Sequence, residues 1–411
     1  MKKLPFIFVL LSMISTLSFS QQNNEEKEQK KFGITFKGFV RSDYWYDSRQ
    51  IVGSREELFC FFPKNVLPDA NGKDINGEDY VNFSPISSRL TGTITTPDAF
   101  GAKTSGVVEA DFTGVTNADI NGFRLRHAYG QLKWEKSELM FGQYWHPMFV
   151  PEVFPSVISL NTGAPFQPFI RNPLISYKRY FKKLNMQLAL IGQRDNTNDG
   201  PLGYNAVYMR NALVPNIHLQ LQYKGDHHVF GVAGDWKTLR PKLVNDSLTI
   251  TRNKISSYSA MAYWKFSKEK FTWRMKAIYG QNMTEHLLLG GYAVHSFDSL
   301  SGNESYTPTN HLFVWGNLVY GKKYQAGLFA GFAKNMGTSH TNIGKYYSRG
   351  NDIAYLYRIA PSFSWVSNSM QISFEPEYTV AAYGTPNNKG IVQNTNEVAN
   401  LRLLLTFFYF F

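Results

Sequence analysis

The 411-residue chain has one cysteine, Cys60. A lone thiol excludes an internal disulfide and reads as an inert side chain in a loop. Long apolar runs are also lacking. Only Leu4–Ile14, near the start, is a solid apolar stretch, and it falls short of the about 20 residues a membrane-spanning helix needs. Catalytic signatures are missing too. There is no G-x-S-x-G elbow, no H-E-x-x-H and no Cys–His cluster, so neither an elbow-type hydrolase nor a zinc enzyme is indicated. Gly101–Gly106 (GAKTSG) lacks P-loop spacing and sits at a strand start. His227 and His228 are neighbours, so on a strand they would point to opposite faces and make a poor metal pair. No cofactor, metal or catalytic residue is expected. The active residues of a barrel enzyme need not be near in sequence, so this class stays open.

What is abundant is aromatic: 32 Phe, 24 Tyr and 8 Trp. Mean hydropathy is nevertheless negative. A transmembrane β-barrel combines these properties, because every second residue of a strand faces the lumen and can be polar. Lys2 and Lys3, the apolar Leu4–Ile14, and Ser18 with Ser20 form a signal peptide over 1–20. Residues 21–31, QQNNEEKEQKK, make a short polar periplasmic leader. Residues 32–411 are left for the barrel. Export makes nucleic acid an improbable partner, although 43 Lys and Arg against 31 Asp and Glu give a net charge of +12. The positive charge is spread along the chain and forms no block.

Period-two alternation recurs along this region. Ile34, Phe36, Val40, Tyr44 and Tyr46 share one face of the first segment, and Lys37, Arg41 and Asp43 the other. Leu184–Leu190, Ile217–Lys224, Phe271–Tyr279 and Met370–Val380 behave alike. Phe39 on a polar side and His127 on an apolar side break the pattern. A β-bulge or a subunit contact would explain either. About 16 strands are predicted, over 32–47, 83–97, 101–113, 122–134, 137–145, 171–180, 183–193, 215–224, 227–238, 255–266, 270–281, 309–321, 324–333, 352–366, 370–381 and 396–411. Tight turns such as Glu135–Lys136 and Lys322–Lys323 alternate with long segments such as Ser48–Asn82, His146–Ile170 and Asn282–Pro308. The fold class is therefore all-β, an up-and-down antiparallel transmembrane barrel with its long loops outside the cell.

The chain ends LRLLLTFFYFF. Leu401, Leu403, Leu405, Phe407, Tyr409 and Phe411 fall on one face, an aggregation hazard on a free edge but a lipid-facing surface in a closed barrel. This ending resembles the C-terminal signature of outer-membrane proteins, which implies the barrel-insertion machinery as a partner.

Charged residues on the polar faces should point inward, because a basic residue facing lipid costs about 2–4 kcal/mol at the midplane. Lys37, Arg41, Asp43, Arg89, Arg124, Arg126, Arg274, Arg358 and Arg402 are accordingly candidate pore-lining residues. Arg124 and Arg126 share one face, so two guanidinium groups could fork onto a carboxylate. The plainer alternative is that these charges pair with one another and hydrate the wall. His146–Pro173 is rich in Pro, Phe and Val. Its prolines bar a strand or long helix, and an exposed loop so apolar would be unusual. It should fold inward as the third loop and narrow the lumen. A loop packed across the barrel mouth or a subunit interface is the other reading.

Phe123–Leu132 (FRLRHAYGQL), Leu139–Met148 (LMFGQYWHPM) and Arg171–Lys178 (RNPLISYK) together resemble the DcaP-like porins. The likeness covers Phe123–Lys178 by motif and the mature chain by architecture. It implies a 16-stranded, often trimeric outer-membrane porin favouring small anions such as dicarboxylates, with Arg124, Arg126, Gln143 and Arg171 near the pore. Those porins often carry a longer coiled-coil extension than Gln21–Lys31, which puts trimerisation assisted by a coiled coil in doubt. The function expected is passive diffusion of small polar, preferentially anionic solutes across the outer membrane of a Gram-negative bacterium. Lipid and lipopolysaccharide would surround a homotrimer. The alternative is a non-conducting barrel, serving as an enzyme or as a scaffold for a surface partner.

Overall fold

A computed structural model of the chain describes residues 32–411. The signal peptide expected over 1–20 and the leader over 21–31 lie outside the described residues. Sixteen antiparallel strands form the wall. They are Gly33–Asp47, a broken strand of Tyr80–Ser84 and Arg89–Thr95, Lys103–Asp111, Arg124–Lys133, Ser137–Trp145, Arg171–Phe181, Leu184–Ile191, Asn216–Lys224, His228–Leu239, Ile255–Lys268, Phe271–Gln281, Asn303–Gly321, Tyr324–Thr338, Ile353–Ser367, Met370–Pro386 and Val392–Phe410. Each pairs with its chain neighbours, and the first pairs with the last from Phe39 opposite Phe410 to Asp47 opposite Arg402. The sheet is thus closed, and no strand edge meets hydrocarbon.

Alternation sets the two faces. Leu401, Leu403 and Leu405 are each 37% exposed, whereas Arg402, Leu404 and Thr406 between them are at most 4% exposed. The first set faces outward with Ile34, Phe36, Val40 and Tyr44, and the second points into the barrel.

Every predicted strand is present, and three differences have local causes. The second strand breaks at Pro85, which has no N–H to give to the ladder. The strands at 303–321, 324–338, 370–386 and 392–410 overrun their predicted ends. The strand at 303–321 rises past the wall because its first residues pair with Tyr292–Asp298, whose own strand also pairs with Tyr346–Arg349, and 370–386 and 392–410 extend together by pairing out to Pro386 opposite Val392. Much of the predicted loop 282–308 is therefore strand. Ser48–Asn82 also carries a hairpin, Ile51–Ser54 with Phe59–Pro63.

His127 sits at a bulge. The register slips between Glu109 and Ala110, so that Arg124, Arg126 and His127 are all buried while Leu125 between them is exposed. Phe39 needs neither a bulge nor a subunit contact. It lies inside, with the Arg89 guanidinium 5.1 Å from its ring centre and Phe408 edge-on at 5.6 Å.

The largest apolar core lies within the barrel. Phe59, Phe61, Phe62, Met148, Phe149, Val153, Phe166 and Phe169 from two loops pack on inner-wall Trp45, Met261, Phe313, Trp315, Phe329 and Leu404.

The two faces predict opposite responses to one substitution. Phe374→Arg on the lipid side should lower unfolding free energy by about 2–4 kcal/mol. Gln371→Arg on the inner wall of the same strand should change it by under about 1 kcal/mol. Urea unfolding of the barrel in lipid vesicles measures both, and equal losses would contradict the facing.

Candidate functional site: a lumen crossed by its own loop

The third loop, 146–170, enters the barrel. Its base closes where the His146 N–H donates to the Ile170 carbonyl at 3.0 Å. From there it crosses the lumen, and Val153, Ala164, Phe166 and Ile170 are fully buried. Irregular backbone inside a barrel must find hydrogen bonds on the wall, and the inner faces of separate strands supply them. Lys276 Nζ donates to the Met148 and Phe149 carbonyls at 2.9 and 3.0 Å. Arg41 Nη2 donates to the Ile158 carbonyl at 2.8 Å. Glu375 accepts from the Ile158 and Ser159 N–H groups at 2.8 and 2.9 Å. Asn317 Oδ1 accepts from the Ser156 N–H at 2.9 Å. Gly331 leaves room for the Phe166 ring, since a Cβ there would sit 2.6 Å from Cγ.

Arg358 ties two loops to the wall. Nη1 donates to the Ala164 carbonyl at 2.8 Å, and Nη2 to the Cys60 and Phe61 carbonyls at 2.9 and 3.0 Å. Its counter-ion is Glu377 at 3.4 Å. Arg402 does likewise for the first loop. It pairs with Asp47 at 2.6 Å and donates to the Glu57 carbonyl at 2.9 Å.

The expected pore-lining residues divide into three groups. Lys37, Arg41 and Arg89 face accessible space. Lys37 is exposed on the inner face, and Arg41 and Arg89 border a cavity of about 280 Å³ with Phe39, Phe154 and Gln371. Arg274 is half-buried, and among the described residues its one hydrogen-bond partner is Asn317 Oδ1 at 3.4 Å. The remaining residues are enclosed and depart from the expected free lining, because each is bound to a neighbour. Asp43 is fully buried between Arg41 and Thr406. Arg124 and Arg126 share Asp111 at 2.8 and 2.6 Å, and Arg126 also meets Glu109 at 2.8 Å. Arg171 lies on Asp195 at 2.5 Å and stacks over Trp145. Gln143 donates to the Leu125 and Arg126 carbonyls at the bulge, at 3.2 and 3.0 Å. Arg358 and Arg402 are loop anchors. Burial pushes the Asp195 carboxyl upward, but Arg171, Arg124 and Arg126 outweigh it and hold the group below its ordinary range.

Two features escape the alternation pattern read strand by strand. On the short-turn side of the third loop is a cavity of about 420 Å³, bordered by Tyr129, Tyr144, Lys133, Lys178, Lys224 and Glu152. Lys224 meets Glu152 at 2.5 Å, and Lys178 approaches Glu138 at 4.0 Å. Elsewhere on the wall, Lys265 lies directly opposite Arg274, with Lys276 two residues further on the same face. Among the described residues these three cations form no ion pair, unlike the arginines across the lumen. The sequence placed Arg274 on an inward face, but the Lys265 beside it and the lack of a carboxylate partner escaped the pattern.

Comparison with known proteins rests on fold. No family model matches the chain, and no curated relative matches it. The outer membrane channel DcaP of Acinetobacter baumannii superposes with a TM-score of 0.68 at 16% identity, over 94% of this chain and 99% of that one. An anion-selective porin from Comamonas acidovorans gives 0.55 at 11% identity, over 93% and 100%. The outer membrane protein OmpT of Vibrio cholerae, in a trimer form, gives 0.53 at 9% identity, over 93% and 100%. The chain therefore has the fold of 16-stranded porin barrels, and the DcaP channel, whose family its motifs resemble, shares that fold.

Removing the Arg358 anchor tests how the loops are held. Arg358→Met leaves Glu377 and three loop carbonyls without their partner, which should cost about 3–5 kcal/mol of stability. Cys60 reports the local effect. It is fully buried, and burial pushes its thiol up to about 12. A charged maleimide should label wild-type Cys60 very slowly at pH 8 and the variant much faster. Equal labelling would mean that Arg358 does not hold the first loop.

Proposed function

We propose that this barrel is an outer-membrane diffusion channel of a Gram-negative bacterium, carrying small polar solutes with a preference for anions. The observation that carries this reading is the lumen crossed by its own loop. Irregular backbone is anchored on the wall at many points, with polar, lysine-bordered space beside it. Such a constriction sorts solutes by size and charge. Membership of the porin fold supports the channel, and the superposing anion-selective porin supports the sign of the preference.

The charge that would set that sign is local. Arg124, Arg126, Arg171 and Arg402 are paired, so their fields largely cancel. Among the described residues Lys265 and Arg274 form no ion pair, and a low-dielectric wall strengthens their pull on an anion. A homotrimer is part of the proposal. Outer-face Ile34, Phe36, Leu90, Val108 and Phe123 surround a shallow apolar hollow at Gly92 and Ala110, suited to receive a second copy. Sedimentation in detergent as a particle of three chains would support it, and a monomeric particle would count against it.

One observation favours a second reading. The apolar cluster of Phe59, Phe61, Phe149, Phe166 and Phe169 lies within the lumen itself, as a plug would. A plugged barrel would act as a scaffold for a surface partner or as an enzyme.

Conductance separates the two. In planar bilayers under a KCl gradient, the channel should open in discrete steps with a reversal potential on the anion side. Lys265→Ala with Arg274→Ala should move that potential toward zero, and Arg124→Ala with Arg126→Ala should move it less. A folded, heat-modifiable barrel without conductance would favour the plug. Cation preference in the wild type would overturn the anion assignment.

A further inference from the structure

We propose that His146, His218 and Asp235 form a binding site for a divalent transition metal, zinc by donor type, at the root of the inward loop. The three come from separate elements. His146 is the first residue of the third loop, and His218 and Asp235 lie directly opposite each other on adjacent strands. All are buried, and one donor atom from each lies within 4.8 Å of the others. His218 Nδ1 is 3.1 Å from Asp235 Oδ2, and His146 Nε2 is 3.5 Å from the same oxygen. Tetrahedral zinc with bonds near 2.0–2.1 Å puts its ligand atoms about 3.3 Å apart.

The surroundings favour a cation at this point. Gln220 Oε1 lies 3.3 Å from His218 Nε2. If that nitrogen carries the proton, the Nδ1 lone pair faces a carboxylate at 3.1 Å. In that tautomer two acceptors face each other across 3.1 Å, a gap that a metal ion bound to both would bridge. An outer acceptor that fixes the tautomer is the usual companion of a metal-bound histidine. Lys237 on the same strand is given to Glu285 and the Asn282 carbonyl and makes no ion pair with Asp235.

Two buried groups lack partners here. Asn216 is 3% exposed, its Nδ2 is 3.0 Å from His146 Nε2, and its Oδ1 is unsatisfied. Rotating the amide turns that oxygen toward the site as a fourth donor. His286 packs edge-on against His146, with ring centres 4.6 Å apart, and its Nδ1 is also unsatisfied. Two imidazoles with carboxylate and amide oxygens suit zinc, cobalt or nickel better than magnesium or calcium.

Binding would act on the loop. The Met148 N–H donates to His146 Nδ1 at 3.2 Å. Coordination through Nε2 moves the ring proton to Nδ1 and gives up that bond. The metal would therefore fasten His146, at the root of the constricting loop, to the wall and release its side-chain cap on the turn Pro147–Phe149.

The test uses the tag-free, chelator-treated barrel in detergent, titrated with Co²⁺ and followed by visible absorption. One equivalent per chain should bind with the strong bands of a tetrahedral site, and Zn²⁺ should displace it. His218→Ala and Asp235→Asn, each shown to be folded by heat-modifiable mobility, should weaken binding by about tenfold or more. His227→Ala with His228→Ala, at an exposed turn, should not. Asp235→Asn keeps the side-chain shape if His218→Ala fails to fold. No stoichiometric binding by the wild type would overturn the proposal and leave His218 hydrogen-bonded to Asp235 without a metal. Undiminished binding by folded Asp235→Asn would overturn it equally.

Discussion

Hydrocarbon offers no hydrogen bonds, so every backbone N–H and C=O in the membrane must be satisfied within the chain. The pairing of Phe39–Asp47 with Arg402–Phe410 meets that requirement by joining the first strand to the last. Once the sheet is a closed ring, alternation has only two destinations, lipid and lumen. A leucine or phenylalanine and its charged neighbour are sorted by parity alone. The ring also creates an enclosed volume, and whatever loop enters it faces the same demand at one remove: polar backbone needs partners there too.

The ionic interior follows from that enclosure. A buried guanidinium loses its hydration, and its stability then depends on a carboxylate and further acceptors close by. Arg402 has Asp47 and the Glu57 carbonyl, and Arg358 has Glu377 and three loop carbonyls. These contacts fix loop positions more than they add stability, because a well-packed apolar substitute often serves stability as well. A charge engaged in this way contributes little field to passing solute. Selectivity then falls to the cations that the pairing leaves out, and a count of lumen arginines overstates it.

Much of the wall could be read from the sequence, because a period of two is a local property. All sixteen strands lie close to their predicted spans, and Leu401–Phe411 divides into the faces its parity assigns. The inward course of 146–170 was also legible, since so apolar and proline-rich a segment has few other places to go. The partners of the charged residues were not legible. Asp111 with Arg124 and Arg126, or Arg358 with Cys60 and Ala164, are meetings of distant segments whose register depends on the whole ring. His127 shows the same limit at short range, since one extra residue at a bulge reverses its parity. His146, His218 and Asp235 are unremarkable singly, and only the closure of adjacent strands beneath the loop brings them together.

The proline content of the loop bears on why the inner wall is basic. Each of Pro147, Pro151, Pro155, Pro165 and Pro168 keeps a carbonyl and lacks an N–H. A segment built this way carries more acceptors than donors, and inside the barrel water cannot freely supply the difference. The wall must therefore offer donors, and Lys and Arg offer the most per side chain. Lys276 on Met148 and Phe149, Arg41 on Ile158 and Arg358 on Ala164 fill that role. Arginine brings carboxylate companions that restore local neutrality, as Asp43 does for Arg41 and Glu377 for Arg358. Among the described residues Lys276 has no such companion, and neither do Lys265 and Arg274 beside it. Lys276 serves the loop as a buried donor, whereas Lys265 and Arg274 make no hydrogen bond to it among the described residues. The solvation of the loop thus accounts for the inner-wall donors Lys276, Arg41 and Arg358.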